Sequence, residues 1–309
     1  MIEYSYWIAL EQTPGIGPAE MERIHRTLAD TGLAIRDLCD CTVDEILAEF
    51  SLPEDTARAV ASAADILDSI EEIYHDILQA GIRPLLFFED HFPRELIRAM
   101  PSEYPAILYC IGNTSVLNER SAAIFSSSEI STKAESICYQ ASRVCTEHHV
   151  PVNGSLNKNA GTLIAAGAME NGGIFTGVIP CGMLQFSMSE RLTALFNPDL
   201  HCLASPFFPQ TAVTKENAVY RNKILAALSR ASYVVEMNET DEVLENTASF
   251  ISLADRPLYA TEYAEYPGQA LGNRRLFDNY GARPVRGRKN GNTLVPNLDA
   301  FIAHMKFDV

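Results

Sequence analysis

From about residue 81 onward, short apolar runs alternate with longer amphipathic stretches, and this alternation narrows the possible folds more than any other feature of the chain. Runs at 84–88, 106–110, 122–125, 150–153, 173–179, 233–236 and 257–261 have the length and composition of buried strands. Segments with helical spacing lie between most of them, at 132–148, 161–171, 187–196, 222–231 and 242–254. Strand and helix in turn predict an α/β fold, a mostly parallel sheet with helices on both faces. Ligands of such sheets bind where strands end and helices begin.

The first 80 residues follow a different rule. Ile46, Leu47 and Phe50, then Val60, Ala64, Leu67 and Ile70, recur at helical spacing, and turns with Gly or Pro interrupt them. Two domains are therefore expected: an acidic helical one over 1–80 and the sheet over 81–309. Charge divides at the same place. Residues 1–80 hold 17 acids and 4 bases, a balance of −13, and the other 229 residues only −3 of the total −16. Any argument about an anionic ligand therefore turns on the local field at its binding face. No apolar run reaches the roughly 20 residues of a membrane span, and the start MIEYSYWIALEQ lacks a basic leader. A cytoplasmic location without membrane contact is expected.

Few motifs carry chemistry. In "TPGIGPAEMERIHRTL" (13–28), Gly15 and Gly17 suit a helix-hairpin-helix turn whose N–H groups approach a phosphate; an ordinary turn between packed helices explains them as well. In "AVYRNKILAALSRASYVVEM" (218–237), Arg221, Asn222 and Lys223 stand at the head of an apolar helix, where cations oppose the helix dipole unless an anion sits there. "LGNRRLFDNYGARPVRGRKNGN" (271–292) sets six bases, Arg274 and Arg275 among them, against Asp278. A solvated helix face and an anion-facing stripe both account for it. Ser127 lacks the G-x-S-x-G elbow, and no P-loop or G-x-G-x-x-G is present, so no enzyme is expected. Seven irregularly spaced cysteines read as reduced, mostly buried thiols, and no cofactor or metal site is expected.

Taken in order, several of these pieces resemble the DNA-processing protein A (DprA/Smf) family. "AGIRPLLFFEDHFPRELIRAMPSEYPAILYCIGN" (80–113) looks like its entry segment, with Asp90, Phe92 and Pro93, then Pro105, Leu108, Tyr109 and Gly112. "NGSLNKNAGTLIAAGAMENGGIFTGVIPCG" (153–182) looks like its second loop, helix and third strand. Arg221, Asn222 and Lys223 match its Arg-Asn-Arg helix, and 247–260 and 266–282 are similar to its closing segments. The resemblance covers about residues 80–286. It implies an extended Rossmann-like sheet with a small helix-hairpin-helix or SAM-like N-terminal domain; the winged-helix tail that some members carry is not expected here.

Departures cluster at the loops. The family's Gly-Ser-Arg is replaced by Ser126, Ser127 and Ser128, which removes a bidentate phosphate contact. Asn157, Lys158 and Asn159 replace its Gly-Ile-Asp, and Thr240, Asp241 and Glu242 lie near its Ser-Gly-Ser. The resemblance implies non-catalytic binding of single-stranded DNA, loading of a RecA-type recombinase in DNA uptake and recombination, and a homodimer. The phosphate-facing residues expected are Arg221, Asn222, Lys223, Lys158, Ser126, Ser127, Ser128, Arg274 and Arg275. Two alternatives remain open: a nucleotide-ligand sensor of the same Rossmann-like group in stress or anti-phage signalling, and a protein-interaction module with a decayed pocket.

Overall fold

The computed structural model describes residues 3–290 and 293–306. Six helices come first: α1 (Tyr4–Glu11), α2 (Pro18–Thr31), α3 (Ile35–Cys39), α4 (Val43–Glu49), α5 (Glu54–Ala63) and α6 (Leu67–Gln79). The sheet region follows as β1 (Arg83–Leu86), α7 (Arg94–Ala99), β2 (Ile107–Gly112), β3 (Ser121–Phe125), α8 (Thr132–Glu147), β4 (Val152–Ser155), α9 (Ala160–Met169) and β5 (Phe175–Val178). It continues as α10 (Glu190–Leu195), β6 (His201–Ser205), α11 (Lys215–Leu228), β7 (Ser229–Val234), α12 (Glu242–Leu253), β8 (Leu258–Thr261), α13 (Asn273–Tyr280) and β9 (Arg283–Val285). A hairpin of β10 (Gly287–Asn290) and β11 (Thr293–Pro296) leads to α14 (Asp299–Lys306).

Nine strands form one sheet in the order β1-β2-β6-β5-β4-β3-β7-β8-β9. The seven from β6 to β9 run parallel, while β2 pairs antiparallel with both β6 and β1. Period-2 alternation splits the core between the two faces. Ala123, Phe125 and Val234 pack with Leu225 of α11 and Ala248 of α12. Ala122, Ile124 and Tyr233 pack with Cys138 of α8, Ile164 of α9 and Phe301 of α14. The chain builds outward from β3 through β4, β5 and β6, then returns along α11 to place β7 on the other side of β3. The strand order therefore reverses between β3 and β7, and this opens a crevice at their C-terminal ends.

The parallel architecture and the helical N-terminal region are as expected. The helical region shares one core with the sheet: Trp7, Ile24, Leu38 and Ile46 belong with Phe87, Leu108 and Tyr109. The glycine turn has a structural role. Gly15 adopts φ 89°, and the Gly17 N–H donates to Glu20 Oε2 at 3.1 Å, the carboxylate half of a capping box at the start of α2. That N–H is spent inside the protein. Six cysteines are buried and Cys41 is half-buried; all seven are free thiols. Burial pushes the thiols of Cys39, Cys138 and Cys145 up to about 12, so they are weak nucleophiles.

One local reading is corrected. Arg221, Asn222 and Lys223 do not head a helix. Helix α11 starts at Lys215, where Thr214 Oγ1 accepts the Asn217 N–H at 3.1 Å, so the trio lies in mid-helix. The dipole argument for an anion at that point therefore falls away.

Candidate nucleic-acid interface

Six parallel strands from β3 to β8 deliver their loops to one edge, and the β3/β7 crevice is its centre. Ser126 Oγ lies 3.2 Å from both the backbone N and O of Glu236. The Ser127 N–H donates to the Glu236 carbonyl at 2.8 Å. Ser127 Oγ donates to Asp241 Oδ2 at 2.6 Å and accepts the Asn238 N–H at 2.9 Å. Asp241 also caps α12 by accepting the Leu244 N–H at 3.0 Å. Both serines are buried, and only Ser128 is exposed. Ser126 and Ser127 thus have their hydrogen bonds filled by their own neighbours.

Glu236 is the residue that sequence reasoning missed. Its side chain is fully buried, and its carboxylate accepts from Ser131 N at 2.8 Å, Ser131 Oγ at 2.6 Å and Tyr263 OH at 2.8 Å. Ser131 is the N-cap of α8. A carboxylate therefore occupies the helix N-terminus that a Rossmann-type sheet ordinarily offers to a phosphate. Burial, reinforced by this carboxylate, raises the Tyr263 phenol well above its ordinary range. The signal available in the sequence was a charged residue closing the apolar run "SYVVE". Asn273, also missed, is fully buried: its Oδ1 accepts the Met237 N–H at 2.7 Å, and its Nδ2 donates to Val235 O and Thr261 O at 3.0 Å.

Arg221 contrasts with this corner. The C-terminal half of α11 is buried except at Lys223, between the sheet and α12, and Arg221 is only 5% exposed. Its Nε and Nη1 are buried without a hydrogen-bond partner among the described residues. Burial lowers its pKa to about 10, and Cys181 beyond the end of β5 is near enough to act on the charge. An isolated buried cation costs several kcal/mol. Its neighbours on the helix point elsewhere, because successive residues are about 100° apart. Asn222 Nδ2 donates to Thr247 Oγ1 of α12 at 3.0 Å, a bond between buried side chains. Lys223 pairs with Glu103 at 3.1 Å and lies 6.0 Å from the Phe250 ring centroid. The three matched residues do not share one surface.

The remaining cations line the rim. Lys158 is exposed in the β4–α9 loop, where Asn159 Nδ2 donates to the Ser128 carbonyl at 3.4 Å. Arg274 is exposed over the Tyr266 ring, 4.9 Å from its centroid. Arg275 donates to Glu239 O at 2.5 Å and pairs with Glu245 at 3.3 Å. Exposed Glu129, Glu239 and Glu242 interleave with them, and Glu242 is paired with Lys215. The rim is mixed in charge, so any preference for an anion is set by individual positions.

Comparison with known proteins bears on the fold and the family. No curated protein matches the chain. The crystal structure of DNA processing protein A from Streptococcus pneumoniae superposes with a TM-score of 0.70 at 20% identity, over 92% of this chain and 95% of that one. DNA processing protein A from Helicobacter pylori, described for its single-stranded DNA binding mode, superposes with a TM-score of 0.56 at 15% identity, over 66% and 90%. The model of the family described as DNA recombination-mediator protein A matches residues 83–294, which is the whole sheet from β1 into the final hairpin. By that match, the chain belongs to the DNA recombination-mediator protein A family.

Proposed function

We propose that this chain binds single-stranded DNA at the C-terminal edge of its sheet, without catalysis, as a mediator of DNA processing and recombination. The observation that carries the reading is Arg221, a buried guanidinium with two unpartnered nitrogens. A backbone phosphate reaching it would supply the missing acceptors, at about 1.5–3 kcal/mol for a charge-assisted bond. Lys158, Arg274 and Arg275 would track the backbone along the rim, with Ser128 as a weaker hydroxyl contact. Ser126, Ser127, Asn222 and Lys223 hold structure in the free protein, and their part in this reading is to support the edge. Ser127 bonds to Asp241 and Asn238 rather than to a histidine, in keeping with a role that has no nucleophile. The reading extends to cytoplasmic residence, a RecA-type recombinase partner and a homodimer. No helix among the described residues is long and apolar enough to cross a membrane.

The test is fluorescence anisotropy of a labelled oligo-dT across a salt series. Affinity should fall with salt, and Arg221→Gln should weaken binding by about tenfold or more. Binding that is absent at low salt, or is untouched by that change, would remove the reading. A second reading, a nucleotide-sized ligand, is favoured by a cavity of about 750 Å³ between α8, β8 and the final hairpin, lined in part by Lys133, Tyr233 and Tyr263. Saturable stabilisation by a mononucleotide in a melting screen would support it.

A further inference from the structure

Five arginines from four separate parts of the sequence meet at the opposite edge of the sheet. Arg94 and Arg98 of α7, Arg120 before β3, Arg230 of β7 and Arg256 before β8 line one cavity of about 210 Å³. Arg120 has an interaction of its own, and the other four arginines against Glu95 and Glu119, the carboxylates of the lining, leave a formal excess of two positive charges. In a chain of net charge −16 this is a marked local reversal. The cavity opens where β3 and β7 begin, a strand's length from the crevice where they end.

Not all of these cations are needed by the fold. Arg256 Nη1 donates to Ala226 O at 3.3 Å and Ser229 O at 2.6 Å, which closes the end of α11. Arg94 donates to the carbonyls of Phe87 and Glu89 at 3.2 and 3.3 Å. Glu95 is shared between Arg98 at 2.8 Å and Arg256 at 3.5 Å, so one carboxylate serves two guanidiniums. Arg230 is exposed, and its guanidinium forms no hydrogen bond or ion pair with a described residue. Arg256 has a lowered pKa: burial is the main cause, Glu95 opposes it, and the charge of Arg230 adds to it. The like charges are therefore close enough to repel.

We propose that this arginine cavity is a second anion site, built for a phosphate group. Guanidiniums hold phosphate oxygens through paired N–H donors. At about 210 Å³ the cavity is below the usual 300–1,000 Å³ of sites for drug-sized ligands, so it takes the charged group and leaves the rest of the ligand outside. That group could come from a free phosphate compound or from a nucleic-acid backbone crossing the mouth. The inference goes beyond the proposed function and is independent of Arg221, which lies toward the other edge.

The experiment is a melting titration of the full chain with inorganic pyrophosphate, against sodium chloride at matched ionic strength. A saturable rise in Tm is expected for the native chain. The double variant Arg98→Gln with Arg230→Gln should weaken the apparent affinity at least tenfold; both side chains are exposed, so the fold should persist. Arg98→Lys with Arg230→Lys, which keeps the charge but loses the fork, should give an intermediate affinity. Lys158→Gln with Arg274→Gln, at the other edge, should leave the shift unchanged. No rise beyond the salt control, or an equal rise in the Arg98/Arg230 glutamine variant, overturns the proposal. Oligo-dT binding across salt then separates the two sources. A backbone source makes the log–log slope shallower by about 1.4 in that variant, at roughly 0.7 per phosphate on single strands. Equal slopes together with lost pyrophosphate binding assign the cavity to a free phosphate compound.

Discussion

The N-terminus of α8 and the middle of α11 are two places at one end of the sheet where an anion would be welcome, and the protein treats them in opposite ways. At α8 it supplies its own anion: Glu236 takes three hydrogen bonds from Ser131 and Tyr263, while Asp241 takes one from Ser127. At α11 it supplies none, and Arg221 keeps two buried nitrogens without acceptors. The difference shows that resemblance to a phosphate-binding loop is a weaker guide than hydrogen-bond satisfaction. A corner whose donors and acceptors are all matched has no need of a ligand. A buried cation with empty donors stays destabilising until one arrives.

Substitutions can break this contrast. The largest effect belongs to Glu236→Ala, which strands the Ser131 and Tyr263 donors. Urea unfolding should show a loss of about 3 kcal/mol or more. Arg221→Leu should do the reverse. Stability should hold or rise by about 1–3 kcal/mol, because an uncompensated charge leaves the interior, while oligo-dT affinity falls. A large loss of stability in that variant would mean that Arg221 is an ordinary structural residue.

Glu11 is an intermediate case. It accepts from Tyr109 OH at 2.6 Å and Gln12 Nε2 at 3.4 Å, yet burial raises its pKa to about 7. A carboxyl whose folded pKa lies above its unfolded value near 4.5 holds its proton more tightly when folded. Its contribution to stability is therefore greatest at low pH and falls as pH rises from about 4.5 to 7. Glu11→Gln should remove that decline and stabilise the protein at pH 8 by on the order of 2 kcal/mol. The smallest effect is expected from Lys223→Ala. Its pair with Glu103 is surface-exposed on the carboxylate side, so thermal melting should change by less than about 1 kcal/mol.

The sheet was legible in the sequence because its central strands are continuous apolar runs, and the same rule explains what escaped. Only 233–236 was read as the strand of β7, which begins at Ser229. Its first residues are polar because Asn153 Nδ2 donates to Ser121 Oγ at 2.6 Å and Ser229 Oγ at 2.9 Å, a buried bridge across β4, β3 and β7. Hydropathy scores such residues as loop; only their partners reveal them as core. Strand β6 went unread because it is five residues, "HCLAS", opening on a histidine and closing at Pro206. The start of α11 was placed seven residues late, although Thr214 followed by Glu216 is a start signal. The site was less legible still. Glu236 meets Ser131 across 105 residues and Tyr263 across 27, so no local spacing could join them.

Asn273 has a mechanical consequence. Its amide bonds to Met237, Val235 and Thr261 in the way a piece of backbone would, bolting the first turn of α13 to the ends of two neighbouring strands. Arg274 and Arg275 follow directly. Their Cα atoms are thus held at set heights above the sheet, like teeth on a fixed rack, and a polymer lying along that edge meets charges whose separation does not drift with loop motion.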